Sequence, residues 1–242
     1  MNYKLIFVEG LPGTGKTTLA KRIFSLLSEQ KIQAELLLED DERNPCNFDY
    51  IAGIPKSEYL KFSFDKSFII ETKNFVYINV NNCTEEIKNQ IQCYDIGNEY
   101  NKFISVQEYA RCTLEWWRYW TANKVDDSIL ILDSAFLQCP INEMIFRGAS
   151  DSEIKTYIQE IAKIIQLHNP ICVYLRRKNA EESINFAKTN KGEGWAKRVD
   201  EKLIELGCPD LFERRFILEN TLLTTIPNII CYINDKDWSI QK

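Results

Sequence analysis

The eight residues Gly10-Leu11-Pro12-Gly13-Thr14-Gly15-Lys16-Thr17 stand between a β-type run, Tyr3 to Val8, and a helical pattern with Leu19, Ile23, Leu26 and Leu27 on one face. Such a segment must turn sharply from strand to helix, and its glycines allow backbone angles closed to other residues. Successive N–H groups in a turn of this kind point inward and form an anion cradle. The N-terminus of the following helix adds partial positive charge. Lys16 supplies a point charge for terminal phosphates, and the Thr17 hydroxyl suits Mg2+. Gly10, Pro12, Gly13, Thr14, Gly15, Lys16, Thr17 and Thr18 are therefore the candidate holders of a nucleotide's phosphate tail, with ATP or another NTP and Mg2+ as the implied cofactors.

Composition narrows the rest. A chain of 242 residues, 45% hydrophobic and 27% charged, suits one globular domain, residues 1–242, with an insertion. Its formal net charge of −5 argues against a nucleic-acid partner, which needs a basic surface. No apolar run approaches the roughly eighteen residues of a membrane span, and the N-terminus has no signal-peptide pattern. The expected location is cytoplasmic, with no membrane partner. The eight cysteines include no CxxC pair, so buried free thiols are expected rather than zinc ligands. His168 is the single histidine, which leaves no basis for a histidine metal site.

Strand and helix patterns alternate at both ends of the chain. Ala34 to Leu38 reads as a second strand, Ile129 to Asp133 as a central one, Ile171 to Leu175 as another, and Ile229 to Ile233 as the last. Helical patterns cover 106–123, a stretch opened by the capping-box pair Ser150 and Glu153, 179–190, 195–206, and a segment from Pro209 to about Thr225. The expected fold is α/β: a five-stranded parallel sheet with helices on both faces. Residues 44–105 interrupt the alternation as an insertion. Residues 43–66 read as irregular, and Ser67–Glu71 and Phe75–Val80 read as a β-hairpin.

In an open parallel sheet, ligands bind beyond the carboxyl ends of the strands. The residues delivered there are the phosphate loop; Glu39, Asp40 and Asp41; Asp133 and Ser134; Arg176, Arg177 and Lys178; and Asn234 and Asp235. Cradle, carboxylates and cations on one edge are what phosphoryl transfer needs. Asp133 is the candidate partner of Thr17 at Mg2+. Glu39, with Asp40 and Asp41 behind it, is the candidate base for an acceptor hydroxyl. The basic segment 176–202, with Lys191-Gly192-Glu193-Gly194 at its centre, reads as a lid. It offers Arg176, Arg177 or Arg198 to the transferring group. Arg111, Trp116 and Trp120 are candidates for the acceptor's wall, whereas Trp117 reads as core.

Together these features resemble the nucleoside and nucleotide kinase group of phosphate-loop proteins. The resemblance rests on Gly10–Thr17, the acid after the second strand, the acid-ended strand at Asp133 and the basic lid. It implies an ATP- and Mg2+-dependent kinase of a small molecule, with Lys16, Glu39, Asp133, Arg176 and Arg198 as its catalytic set. In deoxynucleoside kinases the base falls on the position of Glu39. An arginine follows their third-strand acid, where this chain has Ser134. The acceptor therefore stays open among nucleosides, nucleotides, sugars and antibiotics. A regulatory ATPase acting on a protein partner is the alternative class, and a homodimer is left open.

Overall fold

The computed structural model describes residues 4–62, 69–124, 128–226 and 230–234. Tyr3, Ser67, Phe68, Ile229 and Asp235, which the sequence places in strands or at strand ends, lie outside them.

A parallel sheet forms the centre. Its strands are β1 (Leu5–Gly10), β2 (Ala34–Leu37), β6 (Ile129–Asp133), β7 (Ile171–Leu175) and β8 (Ile230–Asn234). They lie side by side in the order β2, β6, β1, β7, β8. Strand β1, which runs into the phosphate loop, is therefore flanked by the acid-ended β6 on one side and β7 on the other. A ligand at the tip of β1 faces groups from both neighbours.

The two-residue period of β1 sorts its side chains between two cores. Ile6 and Val8 join Ala20 and Ile131 under helix α1 (Lys16–Glu29). Leu5 and Phe7 join the larger core on the opposite face. That core is built with α4 (Val106–Lys124), α5 (Gln138–Phe146), α6 (Asp151–Ile165) and α9 (Leu211–Thr225). The same alternation carries Glu9 to the larger-core face, beside its cross-strand partner Tyr174. The Ser150–Glu153 capping box forms as read from the sequence.

The region read as irregular holds a strand. Residues Ile51–Pro55 (β3) pair antiparallel with β5 (Phe75–Asn79), and β4 (Ile69–Glu71) pairs with the other edge of β5. Gly53 and Pro55 hide β3 from a propensity reading, yet a glycine at 53 suits the close approach of α4. A Cβ at that position would lie 2.3 Å from Cys112 Sγ of α4. This small sheet is fastened to α4: Tyr77 Oη donates to the Cys112 carbonyl at 2.7 Å. The Glu115 carboxylate accepts from the Thr72 hydroxyl and from the Asn74 amide groups. Between β3 and α4 lie the short helices α2 (Lys56–Tyr59) and α3 (Glu85–Ile91). Among the described residues no helix is long and apolar enough to cross a membrane.

Candidate functional site

The loop after β1 closes on itself before α1 begins. The Thr14 hydroxyl donates to the Leu11 carbonyl at 2.8 Å, and Lys16 Nζ donates to the same oxygen at 3.3 Å. Gly13 has a φ of +83° and a wall close behind it, for a Cβ there would come within 2.4 Å of the Ser183 carbonyl oxygen. That wall is α7 (Ala180–Lys191), which with α8 (Glu193–Glu205) forms a helical hairpin turning at Gly192, φ +84°. Ser183 Oγ donates to the Pro12 carbonyl at 2.7 Å. Arg177 donates from Nε and Nη2 to the Gly13 carbonyl, both at 3.2 Å, and lies over the Phe186 ring.

The acid at the end of β6 meets the loop across 116 residues of sequence. Thr17 Oγ1 donates to Asp133 Oδ2 at 2.6 Å, and Ser134 Oγ donates to Asp133 Oδ1 at 3.0 Å. Asp133 is 1% exposed. Burial lowers the pKa of Lys16, while the charges of Asp133 and Glu39 oppose that shift and favour its protonated form. A hydroxyl and a buried carboxylate in contact, beside a loop whose sequence reads as a phosphate cradle, suit Mg2+, which keeps several waters and shares its sites with phosphates. Among the described residues no cluster of three or more His, Cys, Asp or Glu forms an all-protein metal site.

Glu39 stands just past β2 and is held from the other side of the cleft. Gln138 Nε2, in the first turn of α5, donates to Glu39 Oε1 at 2.8 Å. The start of α5 is itself fixed by Glu9, whose carboxylate accepts from the Phe136 amide at 2.6 Å and the Gln138 amide at 3.1 Å. A buried side chain at the tip of β1 thus sets where the partner of Glu39 stands. Asn44 completes the frame by donating to the Leu38 carbonyl at 3.1 Å and the Asp133 carbonyl at 3.3 Å.

Full burial raises the Glu9 carboxyl to about 7, against the two amide hydrogen bonds that favour its ionised form. Its ordinary value is 4.5, so the folded protein takes up this proton more readily than the unfolded chain. The stabilisation is complete below pH 4.5 and is lost as pH rises through 7. Wild-type protein should lose about 3 kcal/mol over that window relative to Glu9→Gln, as read from urea melts at each pH. Parallel pH profiles for the two proteins would show that Glu9 is not the titrating group.

The loop, Glu39, Asp133, Gln138 and Arg177 line one cleft of about 1490 Å³. Pro12, Gly13, Thr14, Gly15, Lys16, Thr17, Thr18, Glu39, Asp40 and Asp133 all face it. Other sequence candidates stand elsewhere. Gly10 ends β1 behind the cradle. Arg176 donates to Asn220 Oδ1 at 2.8 Å, and Arg198 is exposed on α8; neither lines the cleft. Trp116 packs against Phe48 and Tyr77, Trp120 is buried and donates to the Arg43 carbonyl, and Arg111 lies over Phe75. Trp116 and Arg111 serve the seam between α4 and the small sheet, Trp120 ties α4 to the segment after β2, and none of the three lines the cleft. Trp117 is core, as read.

The sequence reading passed over Glu9, Gln138 and Arg215. Arg215, on α9, is 0% exposed and stands in the cleft wall. The spacing of Arg215 and Glu219, four apart on one helix, was the available signal, but that spacing also marks ordinary surface pairs.

No family model and no curated protein sequence matches the chain. Among solved structures it is similar to thymidylate kinase from Ehrlichia chaffeensis, with a TM-score of 0.43 and 13% identity, over 100% of this chain and 92% of that one. A likeness of that degree assigns neither a family nor an activity.

Proposed function

We propose that the chain is an ATP- and Mg2+-dependent phosphotransferase acting on a hydroxyl of a small molecule. The observation that carries this reading is the contact of Thr17 with Asp133 at the mouth of the loop, with Lys16 and Glu39 in the same cleft. A protein that only held a nucleotide would need the loop. Glu39, clamped by Gln138 across the cleft, is a carboxylate placed where it can take a proton from a second reactant.

In this reading the loop amides and Lys16 hold the ATP phosphates, and Thr17 and Asp133 hold Mg2+, which neutralises charge on the phosphates when bound. Glu39 accepts the proton of the acceptor hydroxyl. The hydroxyl oxygen forms a bond to the γ-phosphorus, the bond from that phosphorus to the β–γ bridging oxygen breaks, and ADP leaves. The hairpin of α7 and α8 acts as a lid that excludes water. Of Arg176, Arg177 and Arg198, to which the sequence offered the cationic role, Arg177, at the base of this hairpin and in the cleft, takes it.

The test is ADP release from ATP and Mg2+ across a panel of nucleosides, nucleotides, sugars, sugar phosphates and hydroxylated antibiotics. One class should raise the rate well above the background with water. A steady rate that no small molecule raises, together with capture of a protein partner, would favour the regulatory ATPase instead.

A further inference from the structure

Arg215 holds a full positive charge in the cleft wall with no exposed surface. Its Nε donates to Glu219 Oε1 at 2.7 Å. Nη2 lies 2.6 Å from that same oxygen without hydrogen-bond geometry, and Nη1 has no hydrogen-bond partner among the described residues. Glu219 is in turn committed to Tyr174, whose hydroxyl donates to Oε2 at 2.6 Å. The guanidinium is thus anchored on one edge by a buried carboxylate and leaves donors on its other edge unanswered.

Buried arginine donors are ordinarily satisfied, because leaving them unpaired forfeits the hydration they gave up. A guanidinium fixed along one edge with a second edge free matches the fork that takes a phosphate through paired N–H groups. The surroundings fit an anion. The Arg215 charge adds to the depression of the Lys16 pKa, which burial dominates, so the two cations share one field. Glu9, close by, is raised to about 7 and is not a full counter-charge near neutral pH.

Resting on the kinase reading above, we infer that Arg215 is the anchor for a phosphate carried by the acceptor, and that the acceptor is a hydroxyl-bearing phosphomonoester. The two halves of the inference have separate grounds. The free edge of Arg215 calls for an anion. Glu39 calls for a hydroxyl, since a phosphate oxygen is already ionised at neutral pH and needs no base. The guanidinium has no exposed surface, so the acceptor's phosphate reaches Nη1 only as the cleft wall around it opens.

Removing Arg215 alone would leave Glu219 as an unpaired buried charge and endanger the fold. The probe variant is therefore Arg215→Met with Glu219→Gln, which keeps an acceptor for Tyr174, and Arg215→Lys is the conservative control. The protein is first saturated with the non-hydrolysable ATP analogue AMP-PNP and Mg2+, so that the loop is filled. Inorganic phosphate is then titrated in by calorimetry. Wild type should bind one phosphate. The double variant should bind it at least about tenfold more weakly, with Arg215→Lys between them and AMP-PNP affinity unchanged.

Absence of phosphate binding in wild type would overturn the inference, as would equal binding by the double variant or a loss that falls on AMP-PNP instead. Failure of wild type to bind AMP-PNP at all would overturn the kinase reading and the inference with it. In the ADP-release panel, phosphorylated sugars and nucleotides should outpace their unphosphorylated parents. The reverse order would sink the acceptor class while leaving the kinase reading standing.

Discussion

Replacing Lys16 by alanine is expected to lower acceptor-dependent ADP release by at least about 10²–10³-fold while the protein remains folded. The side chain is buried and its ammonium donates to the loop's own Leu11 carbonyl, so in the free protein it is held ready at the cradle. Its charge is sustained there by Asp133 and Glu39 against the cost of burial. In the proposed reaction, removing it takes away the cation that would meet the charge growing on the phosphates during transfer. It also removes a group whose burial the fold must offset, so the change in stability should be small. A shift of about 1 kcal/mol corresponds to about 2–4 °C in a chain of this size. The measurement pairs the ADP-release rate with a thermal melt and far-UV circular dichroism. A folded Lys16→Ala protein that turns over at the wild-type rate would sink the mechanism.

The loop was legible because its chemistry is local. Eight consecutive residues supply the turn, the amides, the cation and the hydroxyl, and the flanking strand and helix patterns are strong. Asp133 was legible for a different reason: an apolar strand ending in an acid places that acid at the ligand edge of a parallel sheet. Its contact with Thr17 then follows from β6 lying next to β1. The hairpin of β4 and β5 was visible from its turn, whereas β3 was not. Its Gly53 and Pro55 are weak strand formers, and only pairing with β5 and the closeness of Cys112 account for them.

The acceptor side was the least legible part. Trp116, Trp120 and Arg111 read as a binding wall because aromatic density looks alike in a pocket and in a seam, and only packing separates the two. Glu9 and Arg215 failed to stand out for the opposite reason. A single acid in a strand, or an Arg–Glu pair four apart on a helix, is common on surfaces. What distinguishes them is complete burial, which arises from the β1–β7 register and from α9 packing over that face. The groups proposed to select the acceptor are thus set by tertiary contact, while those proposed to hold the nucleotide are set by adjacency in the chain.

Glu39→Gln should reduce kcat by about 10²–10⁴-fold, the range for loss of a positioned general base, with the KM for ATP little changed. The substitution is nearly isosteric, and its amide oxygen can still accept from Gln138 Nε2, so geometry is retained and only the basic group is lost. Asp40 is the control. It follows Glu39 in sequence and faces the same cleft, so a general need for negative charge at this edge would make Asp40→Asn equally damaging. Retention of near-wild-type kcat by Asp40→Asn alongside collapse in Glu39→Gln would assign proton transfer to the residue that α5 holds. Gln138→Met should fall between them, because it leaves the base intact and removes its tether. If Glu39→Gln raises the KM for the acceptor and spares kcat, Glu39 orients the acceptor and does not take its proton.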